Sequence, residues 1–469
     1  MKSVSKLLTL LLLVTTFMCL LPSCEVFSSL FVPEHNCEQY LVWEIEDYPT
    51  EDEEGSKNLI CHYCQKKLID APVRVVSKGL SYEINNGGVY ITGIGACPDA
   101  EIIIPKRIDG KNVVGIKEFA FENNETIKSV IMPPSIKEIG DGAFRNISTL
   151  EDVILSENLK KMGDRVFSNT GLKSVYIPGS LKDYLGTSAF SGCEKLQMAI
   201  LGEGIEHIGY NTFAYCFALE FVSLPSSLRN IQNAFYGCEN LAVVNFRGDM
   251  RQYCELERTY NSLRVEDRYP TFYNAKILLD GNEFPKDIKI PAGTTKIADF
   301  AFSFMDITSV NIPDSVTHIG YQAFLNCESL ETVKFGNGLK TIDSYAFVGC
   351  ESLKEIKIKD GIESIGHGAF QGCRAVEYVE IGEGIEILNA YTFEALISLR
   401  EIKLPSTLKS YKEPLFLFDT KLEKVYYGGT VEQWLEFINS AYPYTCDDYD
   451  KVRIYCSDGE VYDNKRVEK

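Results

Sequence analysis

The sequence predicts an α/β-type repeat protein: a solenoid of short parallel strands made by stacking one unit many times. Two observations carry that prediction. An Ala-Phe step, or a close variant, places its aromatic at Phe121, Phe144, Phe167, Phe190, Phe213 and Phe235. It returns at Phe302, Phe324, Phe347, Phe370, Phe393 and Phe416, and within each set the interval is 23 residues with single 22s. Between the steps runs an alternating segment such as Leu330-Glu331-Thr332-Val333-Lys334-Phe335, a short strand with Leu330, Val333 and Phe335 inward. One such unit cannot bury its own apolar face, but stacked units bury each other's, with strands pairing in parallel about 4.8 Å apart.

The first elements in chain order lie outside the repeat. Lys2 and Lys6 precede the apolar run Leu7–Leu21, which Pro22 ends. Fifteen residues rise about 22 Å as a helix, short of a ~30 Å hydrocarbon core. Residues 1–23 therefore read as a secretory signal peptide, and no later stretch approaches a membrane span. Leu21-Pro22-Ser23-Cys24 resembles a bacterial lipobox, with Cys24 the lipid acceptor; Pro22 departs from the usual small residue, and ordinary cleavage is the alternative. Residues 24–78 hold the acidic run Glu44–Glu54 and no repeat register, which reads as a solvated, cysteine-containing tether.

The array begins at Gly79. Its cleanest unit is NIPDSVTHIGYQAFLNCESLETV, Asn311–Val333, followed by KFGNGLKTIDSYAFVGCESLKEI and KIKDGIESIGHGAFQGCRAVEYV. Each has a strand, a turn, an Ile-Gly pair such as Ile319-Gly320, and the Ala-Phe step. The glycine is expected to supply a backbone angle that larger residues resist. This is leucine-rich-repeat geometry by period. The register breaks between Phe235 and Phe302, where VNFRGDMRQYCELERTYNS leads to AKILLDGNEF. VYYGGTVEQWLEFINS and DKVRIYCSDGEVY repeat that layout at the C-terminus. Both read as strand, glycine turn, short helix and a strand ending in Asp-Gly. The chain is thus two six-coil arrays, residues 79–276 with an irregular closing unit and residues 277–469 with a terminal cap, with a seam near Ala275.

The pattern IP..V..IG..AF..C..L..V resembles the BspA-like class of bacterial leucine-rich-repeat surface proteins, over roughly Gly79 to Tyr462. The resemblance implies a cell-surface or secreted adhesion or interaction protein. It implies no ligand, because repeat scaffolds are shared while their surfaces vary.

Composition bounds the partners. The formal charge is −19, from 47 basic and 66 acidic side chains. Such a surface repels phosphates and anionic headgroups, so neither nucleic acid nor a lipid surface is expected, apart from a leader or lipid anchor. Candidate chemistry is sparse. Cys61-His62-Tyr63-Cys64 with Cys37 upstream is a weak zinc candidate, set against disulfides or free thiols in an exported chain. Cys193, Cys216, Cys238, Cys327, Cys350 and Cys373 share one repeat position and are expected as buried ladders of small apolar thiols, although rungs about 5 Å apart do not forbid disulfides. Cys446 and Cys456 are a more plausible bridge. Arg247-Gly248-Asp249 spells the tripeptide that integrins recognise, but it occupies the same turn as Gly428-Gly429-Thr430. His207, His318 and His367 sit near the Ile-Gly turns without a catalytic partner set, and no phosphate loop or HExxH is present. Neither catalysis nor a cofactor is expected.

The strand faces are the remaining lead. In the first array the outward positions form an apolar stripe: Ile131, Ile154, Tyr176, Met198, Ile200 and Phe221. In the second they alternate in charge, as in Glu355/Lys357, Glu401/Lys403 and Lys424/Tyr426. An apolar stripe across six strands marks a contact site. Either an extracellular protein or glycan partner binds there, or a neighbouring segment, residues 25–78, covers it. A passive spacer of the cell envelope is the alternative function.

Overall fold

The computed structural model describes residues 41–61, 66–85, 87–182, 185–259, 272, 275–412, 421–439, 452–462 and 465–466. The signal-peptide and lipidation readings, including Cys24, lie outside these residues, as do Cys37, Cys64, Phe416 and Cys446. No helix among the described residues is long and apolar enough to cross a membrane.

The repeats wind into a solenoid whose strands pair in parallel between successive coils. Ser174–Ile177, Met198–Leu201, Phe221–Leu224, Val243–Phe246 and Lys276–Leu279 form one run, with Tyr176 opposite Ile200 and Ile200 opposite Ser223. In the second array Glu355–Ile358, Tyr378–Ile381, Glu401–Leu404 and Lys424–Tyr427 pair the same way. Alternation decides what each strand buries: in Glu355–Ile358 the isoleucines are buried and Glu355 and Lys357 exposed.

A second parallel ladder, absent from the sequence reading, runs along the Ile-Gly turns. Its rungs are two-residue strands such as Lys296–Ile297, His318–Ile319, Thr341–Ile342 and Ser364–Ile365. Two ladders per coil satisfy the backbone groups on both sides of a shared core.

The phenylalanines fill that core. Consecutive rings from Phe121 to Phe235 stack with centroids 5.0–5.4 Å apart, and those from Phe302 to Phe370 at 4.9–5.2 Å. Coil spacing imposes this geometry, since one ring per coil at one position repeats at the inter-strand distance.

The Ile-Gly glycines act differently from the expectation. Gly140, Gly163, Gly186, Gly209, Gly320 and Gly366 do not take positive φ angles; the left-handed residue comes two positions later, as Gly142, Arg165, Ser188 and Asn211, with φ of 54–57°. Glycine is required by close approach. A Cβ at Gly186 would lie 2.0 Å from the Gly163 carbonyl oxygen, and one at Gly366 would lie 2.2 Å from the Ser344 nitrogen.

The irregular unit closes the first sheet. Lys276–Leu279 pairs in parallel with Val243–Phe246 and turns at Asp280-Gly281 into an antiparallel partner, Asn282–Glu283. Asp287–Lys289 then begins a new sheet with Ser309–Asn311. A boundary at 276/277 would separate this closing strand from the sheet it completes, so the break in pairing is placed after Glu283. The C-terminal cap repeats the layout, Arg453–Cys456 pairing with Lys424–Tyr427 and folding back on Gly459–Tyr462.

The short helix α1 (Met250–Glu255) joins the arrays. The Ala298 N–H donates to the Cys254 carbonyl at 2.7 Å and the Tyr253 hydroxyl to the Ala301 carbonyl at 2.8 Å. Its counterpart in the cap is α2 (Val431–Asn439), which buries Trp434 and Phe437.

Candidate functional site

The solenoid offers two strand faces, and the chain treats them in opposite ways. Residues 41–73 do not form a solvated tether. They make a three-stranded antiparallel sheet, β1 (Leu41–Asp47), β2 (Gly55–Cys61) and β3 (Lys67–Val73), laid on the first array's face. The acidic run hid a strand alternation: Trp43 and Ile45 pack against the solenoid, alternating with Glu44 and Glu46. Apolar cover on one side and carboxylates along the same strand is the pattern of a half-buried sheet.

This sheet accounts for the apolar stripe. Ile131 and Ile154 lie under Trp43, Ile45, Tyr48, Val73 and Val76, Ile200 packs against Ile60, and Phe221 against Cys61 and Leu41. Exposure falls to 7% at Ile131, 9% at Ile154, 0% at Ile200 and 8% at Phe221, while Tyr176 and Met198 are partly buried beside them. The stripe is an internal interface and not a free contact surface, because a covalently linked sheet buries it without the entropic cost of recruiting a second molecule. Polar groups fix the docking. The Tyr48 hydroxyl donates to the Ile104 carbonyl at 2.6 Å, and Ser77 exchanges bonds with Ile103 at 2.8 and 3.0 Å. Burial raises the Tyr48 and Tyr176 hydroxyls well above the usual phenol range. It also raises the carboxyl of Asp152, opposed by Lys57 of the covering sheet at 4.0 Å.

The second array's face is uncovered among the described residues. It carries Glu355, Lys357, Tyr378, Glu380, Glu401, Lys403, Lys424 and Tyr426 in register. Ion pairs cross it, Lys403 to Glu380 at 3.4 Å and Lys424 to Glu401 at 2.5 Å, and the Tyr378 hydroxyl donates to Glu380 at 2.9 Å. Hydrogen bonds to Glu401 and Tyr378 hold the Lys424 and Lys403 ammonium groups above the usual lysine range. At the cap end, Tyr426 and Tyr455 stack at 5.1 Å.

The other candidates resolve into structure. The repeat-position thiols are free, and each donates to the carbonyl of the phenylalanine one coil earlier: Cys193 to Phe167 at 3.1 Å, Cys216 to Phe190 at 3.2 Å, Cys327 to Phe302 at 3.0 Å and Cys373 to Phe347 at 3.2 Å. The ladder is therefore polar as well as space-filling. Cys61 is buried against Phe221, and no group of three or more metal-ligating side chains assembles among the described residues. Arg247 is sunk, donating to the Leu201 carbonyl and lying 3.5 Å from Glu203, while Asp249 caps α1 by accepting from the Gln252 N–H at 2.8 Å. The Arg247 side chain is thus held within the fold, while Asp249 is exposed and serves the helix cap. Thr430 plays the same capping role for α2, accepting from the Gln433 N–H at 3.2 Å.

A profile described as BspA type Leucine rich repeat region, in six copies, matches residues 101–184, 182–255, 281–396 and 322–442. The chain belongs to the BspA-type leucine-rich-repeat family. Among solved structures, a leucine-rich repeat protein from Bacteroides ovatus is 25% identical, with a TM-score of 0.51, 81% of this chain covered and 98% of that one. The pneumococcal vaccine antigen PcpA is 21% identical with a TM-score of 0.47, over 80% of this chain and 98% of its own. A leucine rich cell surface protein from Faecalibacterium prausnitzii is 24% identical with a TM-score of 0.38, over 78% and 97%. No curated protein sequence matches the chain.

Proposed function

We propose that this chain is an exported, non-catalytic binding protein of the bacterial surface, and that it meets an extracellular protein or glycan through the strand face of the second array. One observation carries the reading. The first face is filled by the chain's own sheet, whereas the second stays open among the described residues and is lined by charged groups and tyrosines. The leader-like segment 1–23 and membership of the BspA-type family support export, with Cys24 as the proposed lipid acceptor. Among the described residues no nucleophile, base and acid converge to support a catalytic alternative.

The test is saturable binding of the fluorescently labelled mature chain to host cells and matrix proteins, compared with a Tyr378→Ala/Lys403→Ala variant. The expected result is at least a tenfold loss in the variant with an unchanged melting curve. Binding equal to the wild type would overturn the assignment of the face. Absence of saturable binding by either protein would favour a passive envelope spacer.

A further inference from the structure

Where the second array meets its cap, the strand ends and the cap line an open groove of about 530 Å³. That volume lies within the ~300–1,000 Å³ range of small-ligand sites. It is lined by the turns after Ile358, Ile381, Leu404 and Tyr427 and by the stacked pair Tyr426 and Tyr455. We propose that this groove binds a neutral oligosaccharide. The inference rests on the reading of the second face as the binding face and names the ligand class for it.

Three features select that class. The first is local charge. Lys357, Lys359 and Lys403 line the groove together with Asp360, Glu380 and Glu383, so the groove is balanced on a chain whose net charge is −19. A balanced site gives no Coulombic advantage to a polyanion or a polycation, and the chain's overall charge opposes polyanions. The second is the pairing of aromatic and hydrogen-bonding groups. A pyranose ring has an apolar C–H face that packs on a tyrosine ring, and a rim of hydroxyls that both donate and accept. Here Glu380 supplies acceptors and Lys403 donors, 3.4 Å from each other, with Lys403 one strand and Glu380 two strands from Tyr426. The third feature is what the face lacks. Cores of protein–protein contacts are depleted in lysine and glutamate, yet Glu355, Lys357, Glu380, Glu401, Lys403 and Lys424 occupy the middle of this face. The apolar face suited to a polypeptide is the one already covered by β1–β3. A hydroxyl-rich ligand replaces the water on such charged groups with equivalent hydrogen bonds.

The test is a printed glycan array carrying neutral oligosaccharides (glucose, galactose, mannose and N-acetylglucosamine series) beside sialylated and sulfated ones. It is probed with the full mature chain, with Tyr426→Ala/Tyr455→Ala, and with Tyr426→Phe/Tyr455→Phe. The expected result is binding to neutral glycans that falls at least tenfold in the alanine variant and is kept by the phenylalanine variant, which retains the stacked rings. Amide-exchange protection of the cap strands in the alanine variant reports that the fold is intact. No glycan binding, binding confined to acidic glycans, or neutral binding that survives in the folded alanine variant would overturn the proposal. If glycans fail while cell binding still depends on Tyr378 and Lys403, the ligand class is wrong and the binding face stands.

Discussion

Ile200→Asp places a carboxyl at the centre of the interface between the covering sheet and the first array. Ile200 is fully buried against Ile60 and lies outward of the coil core, its neighbour Ala199 pointing inward. Holding the introduced carboxyl neutral at pH 7, against an ordinary value near 3.9, costs about 4 kcal/mol. The lost isoleucine burial adds about 2 kcal/mol. Docking gains at most about 1.5–3 kcal/mol from each of Ile131, Ile154, Ile200 and Phe221, an upper estimate that the ordering of β1–β3 reduces. Those gains sum to about 6–12 kcal/mol before the ordering cost is subtracted, so a penalty near 6 kcal/mol offsets the lower end of that range and is expected to release the sheet. The coils need not unfold, because the phenylalanine ladder lies on the other side of the strand. The sign with pH follows. Docking raises the carboxyl's pKa above its free value, so the docked state is favoured below about pH 4 and lost as pH rises toward neutrality. Hydrogen-exchange mass spectrometry is the assay. At pH 7.5 the variant should lose protection in segments 41–61 and 66–73 and keep it around Phe190 and Phe213, with protection of the sheet recovering at pH 4 relative to wild type. Wild-type protection of those segments at pH 7.5 would refute the reasoning.

Two further outcomes follow from the coil geometry. Five of the six repeat-position thiols are buried, and Cys238, half-buried, is pushed up to about 12 by desolvation; iodoacetamide at pH 8 should leave Cys193, Cys216, Cys238, Cys327, Cys350 and Cys373 unmodified in the folded chain and alkylate all of them in guanidinium, as read by peptide mass spectrometry. Gly186→Ala, whose added Cβ would meet the Gly163 carbonyl at 2.0 Å, should cost about 1–3 kcal/mol in urea unfolding by forcing adjacent coils apart.

The repeating core was legible because its information is local and periodic. A 23-residue interval between phenylalanines is visible along the chain, and neighbouring coils contact one another through positions one period apart. The thiol positions were legible for the same reason, but their donation to the Phe carbonyls was not, since it depends on where the preceding coil directs carbonyls that already accept a backbone or hydroxyl donor of their own turn. The role of the Ile-Gly glycine was misread because sequence shows the residue type and not the distance to the coil below. The second ladder is not legible in the sequence because two-residue rungs such as His318–Ile319 are too short to display alternation.

Periodicity along the chain was enough to specify the solenoid, its irregular closing units and the contrast between an apolar and a charged strand face. Whether the apolar face was free or covered depended on Ile60 meeting Ile200 and Cys61 meeting Phe221, contacts between segments well over a hundred residues apart and belonging to no repeat. Such contacts leave no periodic trace, and the acidic side chains of β1 made its buried alternation look like a solvated charge run. Only the tertiary structure decided which face the chain keeps for itself. The physical reason is that a tethered apolar sheet fills an apolar face at little entropic cost, which leaves the charged, tyrosine-lined face of the second array open to solvent among the described residues.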